Sequence, residues 1–393
     1  MESWRVYHCS FADGRHLNED SGRLPQLASK GVKWIIFHED WSLIQNYGMA
    51  WSEEKFKKLV HDCHKAGIKV MTYFGYEYST LAPDWHENAE NNLVKTTDGQ
   101  YTGGWQRKPH QRAFMVCYHG RYNDKMLERI TYVMDEYKVD GIYIDSGFVP
   151  WECANEKHGC GYRDEKGQLH TTFPMMAVRE HFKKMYEIVH ARGGVIDAHN
   201  SACCVTPTLG FADTLLDAEN VQSNYREGLD KFIDLDAFRA EYMGYPMGMP
   251  DHFLVSTGDG KFSLSRLAAI PLLHNVYPRP INTIGHMEDE LDYMSGLWKL
   301  YDEIDAVHAQ WHPYWEKDSA VASLTENVYV SWFENKDRIL LLAVRLGEDT
   351  GIPAKIRLPE GYTPQSGYQV EQQELSVTVA PYTPVYIKLE KQR

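Results

Sequence analysis

Val139-Asp140-Gly141-Ile142-Tyr143-Ile144-Asp145-Ser146-Gly147 is the stretch that decides the fold of this chain. Gly141 to Ile144 is a short apolar run, of the kind that forms a strand buried on both faces, and a carboxylate follows it at once. Ahead of it Leu127, Ile130, Val133, Met134 and Tyr137 fall at helical spacing, so an amphipathic helix feeds the strand. A helix alternating with a buried strand is the repeating unit of a parallel sheet.

Outward from this segment the same unit recurs in both directions. The strand candidates are Trp4 to Cys9, Val32 to Phe37, Ile68 to Tyr73, Gly141 to Ile144, Val195 to Ala198, Thr214 to Leu216, His252 to Ser256 and Ile281 to Ile284. Ser52 caps a helix with Phe56, Leu59, Val60 and Cys63 on one face, and Gly67 ends it. Pro174 opens another, with Val178, Phe182, Met185 and Val189 inside and Gly193-Gly194 as its stop. Eight such units predict an α/β fold, a (β/α)8 TIM barrel over residues 1–315. The alternative, a doubly wound open sheet, would want a GxGxxG after the first strand, and none is there. Beyond residue 315 the helical pattern stops. Val328 to Phe333, Arg338 to Val344, Leu375 to Val379 and Pro384 to Leu389 read as strands, which predicts a small C-terminal antiparallel β-sandwich over residues 316–393.

The formal charge of -14 argues against nucleic acid or an anionic membrane as partner, since both are polyanions bound through surplus Lys and Arg. No run approaches the ~20 apolar residues of a membrane span. Met1 to Ser10 has no apolar signal-peptide core, so a cytoplasmic protein is expected, or a secreted or periplasmic one whose leader has been removed. Seven Cys, an odd count with Cys203 and Cys204 adjacent, do not read as a disulfide framework. Aromatic residues reach 13%, with 11 Trp and 25 Tyr, and flat amphipathic rings suit sugar faces as well as cores.

A barrel builds its site where strands end, so the polar residues after each strand carry the chemistry. These are Ser10; His38, Glu39, Asp40 and Trp41; Tyr76, Glu77 and Tyr78; Asp145; His199 and Asn200; Asp217 and Glu219; and His286. Asp145 must face the barrel mouth, where a carboxylate is costly unless bonded or used. Asp140 precedes its strand and reads as a turn residue. Asp217 and Glu219 are two apart, so strand alternation would point both the same way, with one of them opposite Asp145.

The phrase VDGIYIDSG, the loop Cys153-Ala154-Asn155-Glu156-Lys157-His158-Gly159-Cys160-Gly161-Tyr162 and the segment ADTLLDAEN together resemble the barrels of glycoside hydrolases and of uncharacterised glycoside-hydrolase-like proteins. The chain is most similar, over residues 1–393, to the alpha-galactosidase, alpha-glucosidase and alpha-N-acetylgalactosaminidase group. That resemblance implies Asp145 as nucleophile, Glu219 or Asp217 as acid/base, and a carbohydrate as substrate, cleaved by two carboxylates with retention. No Asn-Glu pair follows the fourth strand, and Asp145 is followed by Ser146 rather than Glu, so direct attack by Asp145 is expected.

Trp41, Tyr76, Trp105 and Trp151 are candidate stacking platforms for pyranose rings, and Asp40, Arg107, His199, Asn200 and His286 candidate hydrogen-bonding partners for hydroxyls, Asp40 foremost. Glu77 to Tyr122 is too long for a connector and reads as a lid or subsite wall. No cofactor is implied and no metal is assigned. Cys153, His158 and Cys160 are spaced compactly enough for zinc with a fourth ligand from His199, Cys203 or Cys204, although neither CxxC nor HExxH occurs. Two other functions stay open: a metal-dependent barrel hydrolase drawing on the 18 His, and a non-catalytic carbohydrate-binding barrel. Against the first, the opening strand ends His8-Cys9-Ser10, without the HxH such enzymes use.

Overall fold

The computed structural model describes residues 5–9, 23–200, 204–221, 228–243, 248–256, 262–280, 287–347, 350–365 and 367–392. Eight parallel strands follow one another around a nearly closed barrel: β1 (Val6–Cys9), β2 (Trp34–Phe37), β3 (Lys69–Phe74), β4 (Gly141–Asp145), β5 (Val195–His199), β6 (Thr214–Asp217), β7 (Asp251–Val255) and β8 (Tyr277–Pro280). Each is followed by a helix: α1 (Arg23–Ser29), α2 (Glu53–Lys65), α3 (Tyr122–Tyr132), α4 (Met175–His190), α5 (Thr206–Leu209), α6 (Leu235–Tyr242), α7 (Leu264–Leu273) and α8 (Met287–Ile304). The Ser52 hydroxyl accepts the Lys55 N–H at the start of α2, and Gly67, at a φ of +73°, turns the chain into β3 as left-handed backbone favours.

One expected strand is displaced. The eighth is Tyr277–Pro280, paired with β7 from His252 to Val255, and not Ile281 to Ile284, which lie outside the described residues. Pro278 and Pro280 both lie within β8. Spaced two apart, they place both missing N–H groups on one edge of the strand and leave the other edge its donors.

Strand register sorts the side chains into two sets. Asp145 pairs with His199 and Asp197 with both Tyr143 and Thr214, and these face the barrel interior. Inside, Arg279 of β8 reaches across to Asp197 of β5 at 2.5 Å and lies 5.6 Å from the Tyr143 ring centroid. The alternate residues face the helices: Phe37 meets Phe56 of α2, and Phe253 meets Phe238 and Tyr242 of α6. The Asp197–Arg279 pair is wholly buried, so Arg279→Met would strand a carboxylate in the core. A loss of about 3–5 kcal/mol is expected in denaturant unfolding, with Asp197→Asn/Arg279→Met recovering part of it. A loss under about 1 kcal/mol would mean that the pair is solvated.

Between β3 and α3 the chain makes an excursion, a three-stranded antiparallel sheet (Glu77–Ser79, Gly103–Arg107, Gln111–Met115) with a helix at Trp85–Asn92. The C-terminal region is two packed antiparallel sheets, one of five strands beginning at Gln310–His312 and one of four. Its central strand Arg338–Arg345 is apolar on both faces: Ile339, Leu341 and Ala343 pack between the sheets, while Leu340, Leu342 and Val344 join the barrel core. The five-stranded sheet thus lies between α7 and α8 on one side and the second sheet on the other. No described helix is long and apolar enough to cross a membrane.

Candidate active site

Asp145 stands at the C-terminal tip of β4, 22% exposed. The next residue, Ser146, takes a φ of +51°, which ends the strand and leaves the carboxylate at the mouth. Three groups hold it. The Tyr73 hydroxyl donates to Oδ2 at 3.0 Å, the Ser146 hydroxyl donates to Oδ1 at 3.0 Å, and His199 Nδ1 lies 3.1 Å from Oδ1. Burial alone would raise this carboxyl. The hydrogen bond and charge of His199, the charge of His38 and the Tyr73 hydroxyl overcome that and hold it well below the usual carboxylate range. Asp145 is therefore an ionised carboxylate at any working pH. His199 responds in kind: burial opposes its charge, but Asp145 and Glu219 outweigh burial and raise it. His38, against the Tyr73 and Tyr143 rings, is pushed down to about 4 by burial and the neighbouring cations, with Asp145 opposing.

The two acids of the β6 segment part company instead of pointing the same way. Asp217 pairs in register with Phe253, so it lies on the helix side of the sheet, near Asp251 and Tyr242. It accepts the Ala218 N–H at 2.6 Å and the Asn200 side-chain N–H at 3.4 Å. Burial pushes it up to about 6, against those bonds and the charge of His199. The strand ends there, and Ala218, buried with a φ of +79°, redirects the chain. Glu219 is half exposed, and its Oε2 lies 3.4 Å from His199 Nε2. Asp145 and Glu219 thus sit on opposite edges of one imidazole.

A second cluster flanks Asp145. Arg107, from the excursion sheet, pairs with Glu39 at 3.0 Å and with Glu77 at 3.3 Å, and Asn46 donates to Glu77 at 2.8 Å. Burial pushes Glu39 up to about 7 against the pull of Arg107, with Glu77, Asp40 and Asp145 adding to the rise. Glu77 is raised for the same reason. Gly75 makes this packing possible, because a Cβ there would strike the Glu77 carboxylate and the Tyr73 hydroxyl. Sequence reasoning preferred Asp40 to Glu39 and read Tyr73 and Tyr143 as plain strand residues; a buried tyrosine hydroxyl looks apolar until its partner is known.

The other candidates divide. Tyr76 lies edge-on to Trp105 at 5.9 Å and tilted to Trp151 at 5.7 Å, an aromatic wall whose Trp105 is exposed. Trp41 does not belong to it: it is buried among Phe56, Phe74 and Tyr137, and its indole N–H bonds the Tyr73 carbonyl. It is a core residue, unable to stack on a ligand. Asp40 is half-buried and its carbonyl accepts the Trp51 N–H. Asn200 is buried beside Asp217, and His286 lies outside the described residues. Cys153, His158 and Cys160 come together, but with Cys117 rather than with His199, which is committed to Asp145, or Cys204, which is exposed. Cys203 lies outside the described residues.

A family profile described as a domain of unknown function, DUF6259, matches residues 46–245, just over half of the chain. The chain belongs to the DUF6259 family. The match takes in β3 to β6, and with them Asp145, His199, Asp217 and Glu219. No curated protein matches this DUF6259 protein in sequence. Its fold is similar to that of a noncanonic maltogenic alpha-amylase, AmyB, from Thermotoga neapolitana, with a TM-score of 0.66 at 10% identity over 99% of both chains. It is similar also to a GH36 alpha-galactosidase, AgaA, from Geobacillus stearothermophilus, with a TM-score of 0.60 at 11% identity over 98% of this chain and 55% of that one. Trehalose-6-phosphate hydrolase from Bacillus licheniformis aligns with a TM-score of 0.58 at 14% identity over 99% of both chains. At such identities the likeness establishes the architecture of this DUF6259 protein, a barrel carrying a C-terminal β domain.

Proposed function

We propose that this protein is a glycoside hydrolase that cleaves an alpha-linked sugar with retention, Asp145 attacking the anomeric carbon and Glu219 serving as acid/base. The observation that carries the two-carboxylate part of this reading is the pair of acids beside the two ring nitrogens of His199, Asp145 partly buried and held ionised, Glu219 solvent-facing; retention rests on the resemblance carried by the VDGIYIDSG and ADTLLDAEN segments. A nucleophile must stay ionised in a site that excludes water, and the His199, Tyr73 and Ser146 bonds do that for Asp145. An acid/base must give its proton to the leaving oxygen and recover it from water, and Glu219, half exposed beside His199, is placed where it can meet both. The Glu39–Arg107–Glu77 cluster supplies acceptors and donors for hydroxyls, and the Tyr76, Trp105 and Trp151 wall offers ring faces. The names of the structural neighbours, an alpha-amylase and an alpha-galactosidase among them, support an alpha-glycosidic substrate.

The test is covalent. Incubation with a panel of 2-deoxy-2-fluoro glycosyl fluorides is expected to inactivate the enzyme with one sugar, and to leave one sugar's mass on the peptide carrying Asp145. The first product released from an aryl glycoside is expected to keep the substrate's anomeric configuration by NMR. An inverted first product, or a label on another residue, would remove Asp145 from this role.

A further inference from the structure

Cys117 follows the last excursion strand, and Cys153, His158 and Cys160 lie in the loop between β4 and α4. Their four ligand atoms are within 4.8 Å of one another. Cys117 Sγ is 3.6 Å from Cys160 Sγ, and Cys153 Sγ is 3.4 Å from His158 Nε2. Zinc with bonds of about 2.3 Å to sulfur and about 2.0 Å to nitrogen makes a tetrahedron with edges of about 3.8 Å between sulfurs and about 3.5 Å from sulfur to nitrogen. The Cys117–Cys160 and Cys153–His158 edges are close to those lengths, and no two of the four ligand atoms are more than 4.8 Å apart.

The surroundings point the same way. His158 Nδ1 lies 2.8 Å from the Asn91 carbonyl. Donating there fixes the tautomer and turns the Nε2 lone pair toward the sulfurs, as the outer partner of a metal-bound histidine does. The Asn155 N–H reaches Cys153 Sγ at 3.4 Å, a bond that favours a thiolate. All three cysteines are buried, and three thiols crowded on an imidazole have no packing advantage over apolar side chains.

We propose that Cys117, Cys153, His158 and Cys160 form a structural zinc site that fastens the β4–α4 loop to the excursion. Three thiolates and an imidazole select a tetrahedral, thiophilic ion, and four protein ligands leave no position for substrate. Tyr76 and Trp151 pack directly on this cluster. The ion therefore braces the aromatic wall beside Asp145 and takes no part in bond cleavage.

The full chain, expressed in zinc-supplemented medium and purified with its thiols reduced, is expected to carry about one zinc per chain by elemental analysis. Cys117→Ser and His158→Ala should each lower that content about tenfold or more. Should the variants fail to fold, the wild-type chain reloaded with cobalt(II) decides. The expected spectrum has the intense ligand-field bands of tetrahedral cobalt and a thiolate-to-metal charge-transfer band. Wild-type protein that holds no zinc and gives no such band overturns the proposal. So does zinc retained undiminished in both variants, or a Cys117–Cys160 disulfide in the native protein. None of these readings depends on glycosidase activity.

Discussion

Asp145→Asn is expected to lower hydrolysis of an activated aryl glycoside by about 10³-fold or more, about 4 kcal/mol of transition-state stabilisation, with the fold intact. The amide keeps the shape of the carboxylate, and its one carbonyl oxygen can still accept either the Tyr73 or the Ser146 hydroxyl, though not both, so the architecture of the mouth largely survives. What disappears is the negative charge that attacks the anomeric carbon. The loss should appear in kcat more than in KM, because sugar-binding groups elsewhere are untouched. With Asp145→Ala, added azide is expected to restore part of the rate and to yield a glycosyl azide of inverted configuration, since the small anion enters the space the carboxylate left. The substitution also has a stability consequence. The folded-state pKa of Asp145 is depressed, so the ionised carboxylate stabilises the fold above about pH 4, and that contribution is lost as pH falls toward the folded value. Asp145→Asn should be less stable than the wild type at neutral pH, with the gap closing in acid. Activity of Asp145→Asn within tenfold of the wild type would remove the nucleophile from the mechanism.

Glu219→Gln is expected to lose about 10²- to 10⁴-fold on substrates with a poor, alcohol-like leaving group and far less on activated aryl glycosides. An activated leaving group departs without a proton, so only the second step suffers, and azide, which needs no general base, should rescue that step. Asp217→Asn is the contrast. Asp217 faces the helix layer, away from the mouth, and its raised pKa of about 6 means that the folded protein holds its proton more tightly than the unfolded chain does. Such a group withdraws stability as pH rises from about 4 through about 6. The amide removes that decline, so Asp217→Asn is expected to retain activity within about tenfold and to gain about 1–2 kcal/mol near pH 7 relative to the wild type. Leaving-group dependence in Asp217→Asn and none in Glu219→Gln would exchange the two acids.

Much of the site was legible because barrel geometry converts sequence position into place. A carboxylate directly after Gly141–Ile144 has to stand at the mouth, and His199 and Glu219 come beside it from neighbouring strand ends, whereas Asp217 turns to the helix layer with Asn200 buried beside it. Other features were invisible for definite reasons. Tyr73 and Tyr143 sit within strands whose register alone brings their hydroxyls to Asp145 and His199. Arg107 comes from an excursion sheet and finds Glu39 and Glu77 only after that sheet has folded over the strand ends. Cys117 is far in sequence from Cys153, and no local spacing rule links them. Trp41 failed as a stacking platform because proximity to a strand end does not set the direction of a side chain.

The segment around Asp145 shows where each kind of information ends. Apolar periodicity, capping residues and strand-end carboxylates determined by themselves the eight βα units, the trailing β domain and the presence of acids at one end of the barrel, because these follow from local burial patterns. Which acids share a cleft was decided only by the tertiary structure. Strand register turns Asp217 to the helix layer, and Ala218, in left-handed backbone just where β6 stops, brings Glu219 over His199; no two-residue alternation survives such a turn.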